Sequence, residues 1–174
     1  MEKIVEIPKD VEVKVENFRV FVKGPKGSLE KDFFSPLFQK DIKILKEGDK
    51  IVVKAEKERR KIKAMVGTIA SHINNMMKGV KEGFQAKLKI VYMHFPFTVK
   101  VSGNEIIVSN FLGEKVPRKT KIVGDCKVEV KGDEIIVSGI DKEAVGLTAA
   151  NLERVTKIKR KDRRVFMDGI FRVE

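Results

Sequence analysis

Cysteine is almost missing from this chain. Cys126 is the only one in 174 residues, which excludes a disulfide framework and a multi-cysteine zinc site and fits a reducing compartment. There are only two histidines, His72 and His94, on different expected elements and without a neighbouring cysteine or paired histidine, so a metal centre would need distant carboxylates. No apolar run approaches the roughly 18 residues of a membrane span. The opening Met1-Glu2-Lys3-Ile4-Val5-Glu6 has no apolar stretch, so secretion is not expected. Also missing are a glycine-rich loop ending in Gly-Lys-Ser/Thr, a dinucleotide fingerprint and a Gly-x-Ser-x-Gly elbow.

Positive charge is abundant. Lys and Arg total 37 against 25 Asp and Glu, a formal net charge of +12 with a pI near 9.7. Such a surplus favours a polyanionic partner through release of counterions from phosphates. The balance is +6 in residues 1–82 and +6 in 83–174. Within the second half it concentrates: Arg154, Lys157, Lys159, Arg160, Lys161, Arg163, Arg164 and Arg172 are interrupted only by Asp162 and Asp168. Five of the nine arginines lie there, and the planar guanidinium fork suits phosphate oxygens. The bland alternative is a solvated charged tail.

The chain also repeats itself. A shift of 86 residues carries Val13-Lys14-Val15 onto Val99-Lys100-Val101, Val20-Phe21-Val22 onto Ile106-Ile107-Val108, and Gly27 onto Gly113. Gly48-Asp49-Lys50-Ile51-Val52-Val53 mirrors Gly132-Asp133-Glu134-Ile135-Ile136-Val137, and Gly67 to Ile73 reads against Gly146 to Leu152. The organisation is a tandem duplication with modules at 1–82 and 83–174. In each, short alternating runs predict strands: Val11, Val13 and Val15, then Val20–Val22, Ile42–Lys46 and Ile51–Val53.

A helical stripe follows the strands: Ile62, Met65, Val66, Ile69, Ile73, Met76, Met77 and Val80, with Glu56 and Glu58 near its positive end and Gly79 and Gly83 as stops. The second module reads the same way, with strands at Val99–Val101, Ile106–Val108, Lys127–Lys131 and Ile135–Val137. Its helix is begun by Asp141 and buries Val145, Ala149, Leu152 and Val155. Leu88–Tyr92 reads as an extended strand connecting the modules. The expected class is α+β: a small, mostly antiparallel sheet packed by one helix, used twice.

Gly24-Pro25-Lys26-Gly27 has the Gly-x-x-Gly pattern that clamps nucleic-acid backbones in KH domains, but here it follows a strand. A tight strand-to-strand turn is the better reading, and it still allows Lys26 to touch phosphate. Cys126 reads as a small buried hydrophobe, and Asp168-Gly169 as a turn that reverses the tail.

Four segments, in order and spanning essentially the whole chain, carry a family resemblance. They are Gly24–Leu29, Tyr92-Met93-His94-Phe95-Pro96, Asn110–Lys115, and the run from Arg164 to Phe171 with its preceding basic patch. Together they resemble the L-six family of large-subunit ribosomal proteins, in its archaeal and eukaryotic branch. Two positions depart from the pattern: Arg154 replaces a usual glutamine and Arg172 a usual aliphatic residue. Both departures add positive charge.

The resemblance implies two repeated domains and no catalytic activity. It also implies binding of large-subunit ribosomal RNA, mainly by the second domain and its C-terminal extension. The expected location is the cytoplasmic large subunit near its factor-binding side, with the first domain outward toward neighbouring proteins and translation factors nearby. No cofactor, metal, membrane or small-molecule substrate is expected. The expected phosphate contacts are Lys157, Lys159, Arg160, Lys161, Arg163 and Arg164, with Lys115, Arg118, Lys119 and Lys121 as a second basic stretch. Phe166 and Phe171 are expected to anchor the tail to the second sheet. Two other readings compete: a basic architectural protein that binds RNA or DNA outside the ribosome, and an RNA-processing enzyme using His94 or Cys126.

Overall fold

The computed structural model describes residues 2–57, 59–162 and 164–173. Glu58 and Arg163, both named above, lie outside the described residues. The chain forms two compact units, Met1–Gly83 and Phe84–Glu174.

The first unit contains β1 (Glu2–Glu6), β2 (Glu12–Glu16), β3 (Arg19–Gly24), β4 (Gly27–Asp32), β5 (Ile42–Glu47), β6 (Lys50–Ala55) and α1 (Arg60–Lys81). Its strands divide between two three-stranded antiparallel sheets, ordered β2-β3-β4 and β1-β6-β5. The alternation read in the sequence is the burial seen: Val11 and Val13 are inside, and Glu12 and Lys14 outside. Gly48 (φ +60°) begins the two-residue turn between β5 and β6, a left-handed conformation that glycine adopts without steric cost.

Every expected stripe residue of α1 is buried except Met65, which packs against the core's margin. Fully burying an aliphatic side chain contributes about 1.5–3 kcal/mol, so this one face accounts for much of the unit's cohesion. No acidic residue lies in the first turn of α1, and Glu56 instead pairs with Lys43 at 2.6 Å. Gly79 sits inside the helix. Gly83 (φ +77°) ends it, donating its N–H to the Gly79 carbonyl at 2.9 Å.

Gly24 and Gly27 face each other across the β3–β4 hairpin. A Cβ on Gly24 would stand 2.8 Å from Val80 Cγ2 and 2.9 Å from the Val80 carbonyl oxygen. The glycine is there because the hairpin presses onto the end of α1. The Lys26 backbone N–H donates to the Val80 carbonyl at 3.0 Å, and its ammonium donates to the Glu82 carbonyl. A cation at a helix C-terminus is favourably placed, so Lys26 caps α1 from within the unit.

The second unit repeats the plan with β7 (Phe84–Val91), β8 (Thr98–Ser102), β9 (Glu105–Ser109), β10 (Arg118–Lys121), β11 (Lys127–Lys131), β12 (Glu134–Gly139) and α2 (Lys142–Val155). It then adds β13 (Gly169–Arg172). The sheets are β8-β9-β10 and β11-β12-β7-β13. Asp141 caps α2, its carboxylate accepting the Glu143 N–H at 2.9 Å. Leu88–Tyr92 corrects an expectation: Leu88 to Val91 belong to β7, which lies inside the second sheet between β12 and β13 and is no connector. Leu88 is buried in the core of that unit, where an exposed linker would waste its apolar surface.

Candidate nucleic-acid interface

The basic run after α2 is a loop held at both ends. On the outgoing side, Thr156 is buried at the end of α2 and Ile158 is inserted into the core. The Thr156 hydroxyl accepts the Ile170 N–H at 3.0 Å, tying the outgoing segment to the returning one. On the return, Asp168 is 2% exposed and Ile170 1%, and β13 pairs with β7. Between these anchors Lys157, Lys159, Arg160 and Lys161 are exposed, and Arg160 adopts a left-handed φ of +60°. Arg164 is exposed and folds onto Asp162, its Nη2 2.9 Å from Oδ2. That pair holds Asp162 below the usual carboxylate range through the hydrogen bonds from Arg164. It lies in solvent, where such pairs yield readily to competing ions.

Asp168-Gly169 is not the expected reversing turn: the chain turns at Arg164-Val165, with the Val165 and Phe166 N–H groups donating to the Asp162 carbonyl, and Gly169 already begins β13. The Asp168 Oδ1 accepts the Met93 backbone N–H at 2.6 Å, and its Oδ2 stands 3.5 Å from His94 Nδ1. The His94 ring stacks on Phe166 at 4.6 Å, and the Lys161 ammonium lies 4.3 Å from the Phe166 centroid. The segments Tyr92–Pro96 and Arg164–Phe171, remote in sequence, are therefore clasped together. Tyr92, Met93, Phe95, Val165 and Met167 are exposed along the clasp, beside the cations. Phe166 is the anchor expected of it. Phe171 is 47% exposed on β13, opposite Lys89, because only alternate residues of that strand face inward.

The second basic stretch is split by the structure. Asn110 (φ +62°), Leu112 (φ +52°) and Gly113 (φ +75°) form a left-handed turn after β9, with the Asn110 amide donating to the Pro96 carbonyl at 3.0 Å. Lys115, Lys119 and Lys121 are exposed beyond it, Lys119 at 4.0 Å from Glu105. Arg118 is committed within the protein. It binds both Glu114 oxygens, at 2.8 Å from Nε and 2.5 Å from Nη2. Its Nη1 donates to the Val155 and Lys157 carbonyls at 2.8 and 3.2 Å, and its guanidinium lies 4.6 Å over the Phe111 ring. We therefore read it as a brace that ties the turn to the start of the basic loop.

Of the two residues of the enzyme reading, Cys126 lacks the setting of a nucleophile. Burial pushes the Cys126 thiol up, against nucleophilic use at neutral pH. His94 is packed between a buried carboxylate and an aromatic ring. Among the described residues, no group of three or more His, Cys, Asp or Glu could hold a metal ion.

The family model described as Ribosomal protein L6 matches the chain twice, over residues 7–83 and 95–169. The chain is 53% identical over 171 residues to the large ribosomal subunit protein uL6 of Methanosarcina mazei, covering 98% of this chain and 94% of that one. It is 54% identical over 170 residues to the protein of the same name from Staphylothermus marinus, covering 96% and 90%. For Methanothrix thermoacetophila the figures are 47% over 170 residues, with 98% and 94% covered. With both modules matched, in order and nearly end to end, this chain belongs to the ribosomal protein L6 family.

Proposed function

We propose that this protein is held in the large ribosomal subunit by its second unit, which grips ribosomal RNA with the pinned basic loop. As a member of its family the chain is a structural, non-enzymatic component of that cytoplasmic subunit, with ribosomal RNA and other ribosomal proteins as partners.

The observation that carries the finer reading is the fixing of the cations at both ends of their loop. Lys157, Lys159, Arg160 and Lys161 project from a segment anchored by Ile158, Phe166 and Asp168. A held loop loses less conformational freedom on binding than a free tail. Its charges neutralise phosphates that repel one another where RNA helices converge. Arg164 joins them by exchanging Asp162 for phosphate, and Arg163 belongs to the same run. Lys115, Lys119 and Lys121 extend the surface. The exposed aromatic and apolar side chains of the clasp offer stacking surfaces for unpaired bases beside the cations. In this reading the first unit faces neighbouring proteins, and the site lies toward the factor-binding side of the subunit.

Six phosphate contacts correspond to a slope of about −4 to −5 in log K against log salt. Replacing Lys157 and Lys159 by alanine should flatten the slope by roughly one unit per lost contact, measured on fragments of large-subunit RNA. Weaker binding at an unchanged slope would overturn the phosphate assignment.

A further inference from the structure

The two units differ at one sheet edge. β7 is flanked on both sides, by β12 and by β13, whereas its counterpart β1 pairs, among the described residues, with β6 alone. Equivalent positions follow from the register: Ile4 faces Val52 as Lys87 faces Ile136. Likewise the Ile7 N–H reaches the Asp49 carbonyl as the Ile90 N–H reaches that of Asp133. Hydrogen-bonded pairs alternate along an antiparallel ladder. The bond at Ile7 therefore turns the backbone groups of Ile4 and Glu6 away from β6, toward the open side. Their counterparts Lys87 and Lys89 turn the same way, and there the Val173 N–H binds the Lys87 carbonyl at 2.9 Å while Phe171 pairs with Lys89.

The side chains along this edge select an occupant. Ile4, 56% exposed, and Leu45, 44% exposed, lie on one face of the sheet on either side of the buried Val52. Lys87 and Glu129 stand at the places of Ile4 and Leu45 in the second unit, so this apolar pair is particular to the first. Glu2 and Glu6 flank Ile4 on the same face, loosely paired with Lys54 at 3.5 Å and Lys50 at 3.9 Å. We propose that β1 is a strand acceptor for an extended protein segment of the pattern basic-x-apolar-x-basic, whose basic and apolar residues share one face, added antiparallel as β13 is added to β7. An apolar residue of that segment covers Ile4, and its cations meet Glu2 and Glu6. A second copy of this chain fits poorly, because β1 against β1 sets like carboxylates opposite each other. An open edge bearing an exposed isoleucine is a natural site for strand addition.

The test uses the full chain and a short synthetic peptide carrying Lys-Thr-Val-Thr-Lys, whose two lysines and valine fall on one face of an extended strand. The Ile4 and Glu6 amides, fast to exchange hydrogen in the free chain, should slow at least tenfold with peptide. Ile4→Pro removes an outward N–H and leaves the bonds to β6 intact, so Val53 stays protected and peptide binding is lost. Glu2→Lys with Glu6→Lys keeps the backbone unchanged and should weaken the peptide roughly tenfold. The proposal is overturned if Ile4 and Glu6 are already protected in the free chain, if millimolar peptide slows neither, or if both variants bind as the parent does. None of these readouts involves RNA, so failure of the RNA-binding reading leaves the result interpretable.

Discussion

Replacing Arg118 by alanine separates bracing the proposed RNA-binding surface from touching RNA. The guanidinium closes the Val155 carbonyl, one that the end of α2 otherwise leaves to solvent, and the Lys157 carbonyl just beyond the helix. A hydrogen bond from a charged donor contributes about 1.5–3 kcal/mol where it is partly buried. The Glu114 pair is more exposed, so screening reduces it to less than about 1 kcal/mol. The stack on Phe111 adds roughly 0.5–1 kcal/mol. These contributions share one side chain and are not additive, so the expected loss is about 2–3 kcal/mol. Urea unfolding should show it as a lower midpoint at unchanged m.

The same variant should bind large-subunit RNA somewhat more weakly with the salt slope intact, since no phosphate contact is removed. Arg118→Lys keeps the charge without the fork and should recover little of the stability. Wild-type unfolding combined with a slope shallower by about 0.7–0.9 would show that Arg118 is a phosphate contact and the bracing argument false.

Gly24→Ala should cost about 1–3 kcal/mol, because its Cβ meets the Val80 backbone as well as its side chain; a wild-type urea midpoint would contradict this. Asp168→Ala strands the Met93 N–H and should cost about 1–3 kcal/mol while raising hydrogen exchange at Met93. Unchanged protection there would mean that the clasp is held by something else. The hydrogen bond from Arg118 keeps the Glu114 carboxyl below the ordinary glutamate value of about 4.3. A carboxyl depressed by folding contributes stability above its unfolded value, lost as pH falls through the folded one. Titrating stability from pH 7 toward pH 3 should therefore show a shallower acid limb in Glu114→Gln than in the parent.

Periodicity carries information only about neighbours in sequence, and this sets what was legible. The stripe from Ile62 to Val80 and the alternation at Val11, Val13 and Val15 are each one face of one element, so they read correctly. β4 and β10 are polar edge strands with little apolar alternation, and β13 is four residues long. The basic residues were visible as candidates, yet Arg118 and Lys119 look alike in sequence. One braces a helix end and the other projects into solvent. The roles of Asp168, His94 and Thr156 left no local signal, because each depends on a partner that the topology brings from elsewhere.

The order of hydrophobic and charged residues by itself determined the duplicated α+β plan, the two helix faces and the concentration of cations after α2. These follow from which side chains water excludes at periods of two and of 3.6 residues. Tertiary structure alone decided that the cations sit on a loop closed by Asp168 and Met93, that Arg118 turns inward, and that among the described residues β1 is paired on one side where β7 is paired on both. Those outcomes rest on hydrogen bonds and strand pairings between residues far apart in the chain, whose geometry exists only once the sheets have assembled.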